Sequence, residues 1–410
     1  MNRKLQYIYN LFIAMIVSAL AVSCTDDELV KGGDKYEVVP DIPVALSLKI
    51  KVADQMEVQT RLAQSDETER TVNKLFVIAF KPSKQSDGAE NADASDDEWS
   101  VDNSAFYDTE DGLGNPIEVG KPQSVEFSMT TGLRRIYVVG NPQSGVGTLS
   151  DDELKNVKTI AALKALYSKL SDNLSVERVY FLMTGQAITK EKSEIVTVYK
   201  SGDHQGAIRE DYTMALNHVD ARITFNIIPA VGVTFEPEAY RVINIPGGTY
   251  LFSREKQNSG DNTWDYDGAG YAPSNRLSDF TEKDGKSIFE FYICENRQNP
   301  KQKISTESLL EEGTYYALRE KQEKKLITGT VEGQKYENGE YVYANAKSTY
   351  VELEGTITYK DDDGSEVYAK TTYTIHLGNT GNSNTADWLN DLELVNNYDT
   401  ERNTHYRGVL

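Results

Sequence analysis

The sequence predicts an all-β protein, mainly strand with one helix, arranged as two tandem β-sandwich domains. Short runs alternate apolar and polar residues with a period of two, which marks half-buried strands. Tyr is abundant, 25 residues against 3 Trp and 4 His, and Tyr and Thr favour strands. A single stretch has helical spacing, so the apolar faces of many strands must be buried sheet against sheet. With 410 residues and 39% hydrophobic content the chain can fill two cores.

The chain opens Asn2-Arg3-Lys4, and an apolar run from Leu11 to Val22 follows. That run is shorter than the roughly 20 residues of a spanning helix and reads as an export signal. It ends Leu20-Ala-Val-Ser-Cys24, small residues directly before a Cys. This resembles a lipoprotein box, with residues 1–23 removed and Cys24 the acylated first residue. The competing reading is an ordinary signal peptide followed by a free or buried Cys. Asp26-Asp27-Glu28 resembles the acidic surface-export tag of Bacteroidetes lipoproteins, or serves as a solvated linker. A lipid on Cys24 would leave Cys294 without a partner, so no disulfide is expected. Cys294 closes an apolar strand pattern and reads as a small apolar core or surface residue, not a nucleophile.

Residues 24–61 combine a tether with a first strand. In that strand Val44, Leu46, Leu48, Ile50 and Val52 point one way, and Ala45, Ser47, Lys49 and Lys51 the other. Val72 to Phe80 is nearly all apolar and predicts an interior strand covered on both faces. Between the two lies a polar segment containing Arg61 and Arg70, where a protease can cut without touching either strand. The expectation is that the first strand is the outermost, removable segment of its sheet, and that its loss opens a slot for another chain.

The first sandwich is expected over residues 62–219. Lys81 to Pro122 reads as a mobile polar loop; Asp93 to Glu98 within it lacks the ligand spacing of a calcium loop. Strands follow at Ser124–Thr130 and Arg135–Val139. The helix is predicted from Ser150, with Glu153 completing a capping box, through Leu154, Val157, Ile160, Leu163, Leu166, Tyr167 and Leu170. Strands resume at Val179–Met183 and Glu194–Tyr199. The second sandwich is expected over residues 220–410, with strands at Ile223–Ile228, Tyr240–Ile245, Ser287–Cys294, Glu340–Tyr343, Thr349–Tyr359 and Ser365–Leu377. Asp361-Asp-Asp-Gly364 between the last two is a hairpin signal.

A net charge of -21 and a pI near 4.7 repel phosphate backbones, which argues against nucleic acid as a partner. His204, His218, His376 and His405 are scattered, and there is no nucleophile elbow or Gly-rich phosphate loop. No catalytic residue, metal site or cofactor is expected.

Several phrases together resemble one family. They are Arg134-Arg-Ile-Tyr-Val-Val-Gly-Asn-Pro142, Leu216-Asn-His-Val-Asp-Ala-Arg-Ile-Thr-Phe225, Phe291-Tyr-Ile-Cys-Glu-Asn-Arg297, and Tyr373 to Gly378 followed by Glu401-Arg-Asn-Thr-His-Tyr406. They are similar to the Bacteroidetes fimbrillins, or type V pilins, and most to the minor-fimbrium subunits. The resemblance implies transthyretin-like, Greek-key sandwiches and a non-enzymatic subunit that supports adhesion. It implies a lipoprotein held to the outer membrane through Cys24 and later incorporated in a surface pilus. It further implies an Arg-specific protease cutting at Arg61-Leu62, with Arg70-Thr71 as second candidate. Strand exchange with other fimbrial subunits would then build the fibre. In the family Arg-Asn-Thr-His-Tyr opens a long donor strand, whereas here only Arg407 to Leu410 follow. The expectation is either a terminal or tip subunit or a truncated sequence. The alternative function is a surface glycan-binding lipoprotein of the same build, for which Trp99 is the candidate sugar platform.

Overall fold

The computed structural model describes residues 38–53, 56–58, 71–142, 149–169, 181–253, 271–305, 319, 325–331, 334–340, 342–378 and 392–410. Its strands in the first half are β1 (Pro43–Val52), β2 (Met56–Val58), β3 (Lys74–Lys81), β4 (Ser100–Asp108), β5 (Gln123–Thr130), β6 (Gly132–Gly140), β7 (Tyr167–Lys169), β8 (Met183–Thr189), β9 (Val196–Lys200), β10 (Gly206–Ile208) and β11 (Tyr212–His218). In the second half are β12 (Asp220–Ile227), β13 (Val233–Ile243), β14 (Ile245–Pro246), β15 (Gly248–Tyr250), β16 (Tyr271–Ala272), β17 (Thr281–Lys283) and β18 (Lys286–Cys294). They continue with β19 (Lys325–Val331), β20 (Gln334–Glu340), β21 (Tyr350–Lys360), β22 (Glu366–His376) and β23 (Thr404–Val409). Short helices lie at α1 (Asp151–Lys155), α2 (Ile160–Ala165) and α3 (Leu392–Val395). The all-β expectation holds.

In the first half β1 lies in a run ordered β10-β9-β6-β8-β11-β1-β5, with β3 joined to β6 and β4 to β3. The apolar run of β3 serves two cores. Leu75, Val77 and Ala79 enter one cluster with β1, β5 and β11, while Phe76, Ile78 and Phe80 enter another under the helices. That is why β3 shows no alternation. In the second half the sheet β17-β18-β12-β23-β2 shares a core with the sheet β13-β21-β22. Asp361–Gly364 forms the expected hairpin turn between β21 and β22.

The predicted single helix is broken in two. Ser150 and Glu153 do form the capping box, but α1 ends at Asn156 and Thr159 caps a second start. The intervening backbone is drawn toward β4, where Lys158 O accepts from Val101 N at 3.1 Å. Both helices bury their apolar residues, Leu154, Ile160 and Leu163, as the spacing required. Tyr167, placed at the end of the predicted helix, opens β7 instead.

The expected mobile loop from Lys81 to Pro122 contains β4 and buried Trp99 and Ile117. Asp96 within it pairs with Arg135 at 2.8 Å and Lys164 at 3.0 Å. Of the strand expected at Val179–Met183, residues 179 and 180 lie outside the described residues and β8 opens at Met183, while β13 starts earlier than expected. Of the one expected at Glu340–Tyr343, Glu340 ends β20, residue 341 lies outside the described residues, and 342–343 are not strand.

Candidate functional site

The first strand is fixed as the alternation predicts. Val44, Leu46, Leu48, Ile50 and Val52 are buried, and Leu48 and Ile50 have 0% of their surface exposed. They pack in one cluster with Val125, Phe127 and Met129 of β5 and Met214 and Leu216 of β11. Along one edge β1 runs antiparallel to β5 from Pro43↔Thr130 to Ile50↔Gln123. Along the other it is held at separate points. Ala45 N donates to His204 O at 2.9 Å, and Lys49 N reaches the Tyr212 hydroxyl at 3.5 Å. Lys51 and Val52 pair parallel with Ala215 and Leu216, and Ala53 N donates to Leu216 O at 2.8 Å.

One expectation is corrected here. β1 is not outermost, because β5 lies outside it and pairs with it alone among the described strands. The five apolar residues of β1 fit between two neighbours, and its period reveals which face is buried but not how many edges are paired.

The head of β1 is clasped. Asp41 N donates to Thr131 O and Ile42 N to Thr131 Oγ1, both at 3.0 Å. The Asp41 carboxylate meets Lys84 at 2.8 Å and Lys81 at 3.0 Å. The Lys84 and then the Lys81 hydrogen bonds hold the Asp41 carboxyl down at about 2. Behind the clasp Arg134, 0% exposed, meets Glu90 at 2.9 Å and Asp102 at 3.2 Å, and donates to Thr131 O at 2.6 Å. Because the Asp41 pKa is depressed on folding, its contribution is complete above the unfolded value of 3.8 and disappears as pH falls through about 2. The side chains of this clasp are more than a third exposed, so Asp41→Asn is expected to cost less than about 1 kcal/mol. Urea melts of both proteins, compared between pH 5 and pH 2, check this; the gap should close at the acid end and shrink in salt.

The strand segment does not stop at β1. Four residues beyond Val52 begins β2, which pairs parallel with β23, Met56↔Thr404 to Val58↔Tyr406. β23 itself pairs parallel with β12 on its other side. The residues after Tyr406, expected to be too short for a donor, are therefore part of a strand already paired within this chain.

The phrases that carried the resemblance prove to be joints. Asn141 is buried, donating to Thr71 O at 2.9 Å and Phe181 O at 3.0 Å. Arg402 reaches Glu295 at 2.5 Å and Tyr250 O at 2.9 Å. Asn403, in the left-handed region at φ 54, accepts from His218 N at 3.1 Å and donates its own N–H to Asp220 O at 2.9 Å. It thereby pins the turn from β11 to β12. Asn296 is fully buried and donates to Lys347 O at 2.9 Å and Thr349 Oγ1 at 2.8 Å. Sequence reasoning quoted these residues without their role; polar side chains beside strand ends were the available signal.

Trp99, the candidate sugar platform, has 0% exposure, and its Nε1 donates to Ala94 O at 3.1 Å. It is a core residue stacked under Arg135. Cys294 is buried, the first of its two readings. Cys24, Arg61, Leu62, Arg70, Trp264 and Trp388 lie outside the described residues.

Residues 44–222, from β1 into β12, match the family model described as the major fimbrial subunit protein, FimA. The match spans less than half of the chain; the matching model is that of the major subunit, while the phrases of this chain resemble the minor-fimbrium branch. Among solved structures, the tip fimbrial protein Mfa3 from Porphyromonas gingivalis, with C-terminal truncation, is 12% identical, over 89% of this chain and 94% of that one, at a TM-score of 0.45. The fimbrial anchor protein Mfa2 from the same organism is 10% identical, over 80% and 82%, at a TM-score of 0.28. Scores this low transfer neither a fold nor a role. Comparison with curated proteins finds no match.

Proposed function

We propose that this chain is a structural, non-enzymatic subunit of surface fimbriae, exported as a lipoprotein on Cys24, cut after Arg61, and joined to other subunits by strand exchange. Before cutting, the lipid on Cys24 holds it at the outer membrane. An Arg-specific protease hydrolyses the Arg61–Leu62 peptide bond, water giving its hydroxyl to the Arg61 carbonyl and its proton to the Leu62 nitrogen. The segment ahead of the cut is then tied to the rest by non-covalent pairing alone. The observation that carries this reading is the seat of β1, with five buried apolar side chains between the edges of β5 and β11. Its departure would leave an apolar trough between two unpaired strand edges, a form that captures an extended segment. The same cut would free β2, and with it one edge of β23.

Limited digestion with an Arg-specific protease tests the reading. The expected product begins at Leu62, stays folded, and exchanges its bound segment for a labelled peptide with the sequence of residues 43–58. Arg61→Ala is expected to abolish both the product and the exchange. A folded product that takes up no peptide, or digestion that unfolds the chain, would overturn it.

A further inference from the structure

If β1 leaves, β5 loses the one strand it pairs with among the described residues. An eight-residue strand without a ladder has no backbone reason to remain extended. Yet its far edge is fastened at successive outward positions by side chains of β4. The Tyr107 hydroxyl donates to Glu126 O at 2.7 Å, and Asn103 Nδ2 donates to Ser128 O at 2.7 Å. Thr130 N and Oγ1 donate to the Asp102 carboxylate at 2.7 and 2.8 Å. β4 is not laddered to β5; it is laddered to β3, deep in the sheet. The spacing of every second residue places these bonds on the edge of β5 turned away from β1.

We propose that Asp102, Asn103 and Tyr107 are positioning residues that keep β5 standing as the outer wall of the slot while β1 is absent. This rests on the strand-exchange reading above and adds to it a preformed acceptor. The partner is an extended, alternately apolar segment of a second fimbrial subunit. Such a segment meets a wall already in register, so it orders only itself on entry. Without the staples β5 would have to be reordered at each capture. Val125, Phe127 and Met129 hold the apolar face of β5 in the core, but packing of one face does not fix the height of a strand edge.

The test uses the full chain cut at Arg61 and a labelled peptide with the sequence of residues 43–58. Asn103→Ala and Tyr107→Phe, singly and together, remove two of the fastenings; Tyr107→Phe keeps the ring that packs beside the core. In the uncut chain β1 still ladders β5, so the urea midpoint and the hydrogen exchange of β5 amides are expected to stay close to those of the parent. In the cut chain the double variant is expected to take up peptide at least about tenfold more slowly than the parent. Unchanged uptake by the double variant, with the parent taking up peptide normally, would overturn the staple and leave strand exchange intact. No uptake by the parent would overturn both. Equal loss of β5 protection in the cut parent and the cut variant would also overturn the staple.

Discussion

Arg134→Met is expected to lower stability by about 3–5 kcal/mol, because it takes the nearest cation from two buried carboxylates and leaves Asp102 only Lys81 at 3.8 Å. Arg134 has no exposed surface, and the Asp102 side chain is 3% exposed and Glu90 10%. Removing one member of such a group strands the others in a poor solvent for charge. A urea titration of the uncut chain reads the loss as a fall in midpoint. Adding Asp102→Asn to Arg134→Met should recover part of it, since one stranded charge is then gone. A shift below about 1 kcal/mol for the single variant would show that the cluster relaxes into water. The loss should be felt at β1 as well. Arg134 holds Thr131 O, and Thr131 holds the backbone of Asp41 and Ile42. Faster hydrogen exchange at the head of β1 than at its tail would report that route.

The second large effect is expected at the centre of β1. Leu48 is wholly buried opposite Val125 and belongs to the larger core of the first half. Leu48→Ala should cost about 2–5 kcal/mol in the uncut chain, from lost transfer energy and the cavity left behind. The same change in the exchange peptide should weaken its capture by a similar free energy, so that at about 3 kcal/mol the affinity falls on the order of 100-fold. Ser47→Ala, on the opposite face, should alter neither by more than about 0.5 kcal/mol. Equal effects of the two substitutions would mean that the seat of β1 does not depend on its apolar face.

Period-two patterning was enough to place β1 and the face it buries, because one side of that strand meets a core and the other does not. It was also enough for β18 and the β21–β22 hairpin, where alternation and an Asp-Gly turn agree. β3 was legible as interior for the opposite reason, being apolar on both faces. The neighbours of β1 were not legible, since pairing is decided by residues some 80 and 160 positions away. Helical spacing from Leu154 to Leu163 was real, but it cannot register that a second cap at Thr159 interrupts the run. The polar stretch ahead of β5 hid Trp99 and β4 because its composition is that of a loop while β4 is stitched to β3 by backbone. Asn141, Asn296 and Asn403 were visible as parts of phrases, yet their work lies in tying strand ends together through long-range carbonyls.

The neighbours of β1 run in unlike senses, β5 against it and β11 with it. A guest entering backwards would meet both walls with the wrong spacing of donors and acceptors. Under the proposed assembly each joint therefore admits its guest with a single orientation. Repeated joints of that kind are head-to-tail; where the rotation from one subunit to the next does not close a ring, they yield a fibre with two different ends, along which growth has an arrow.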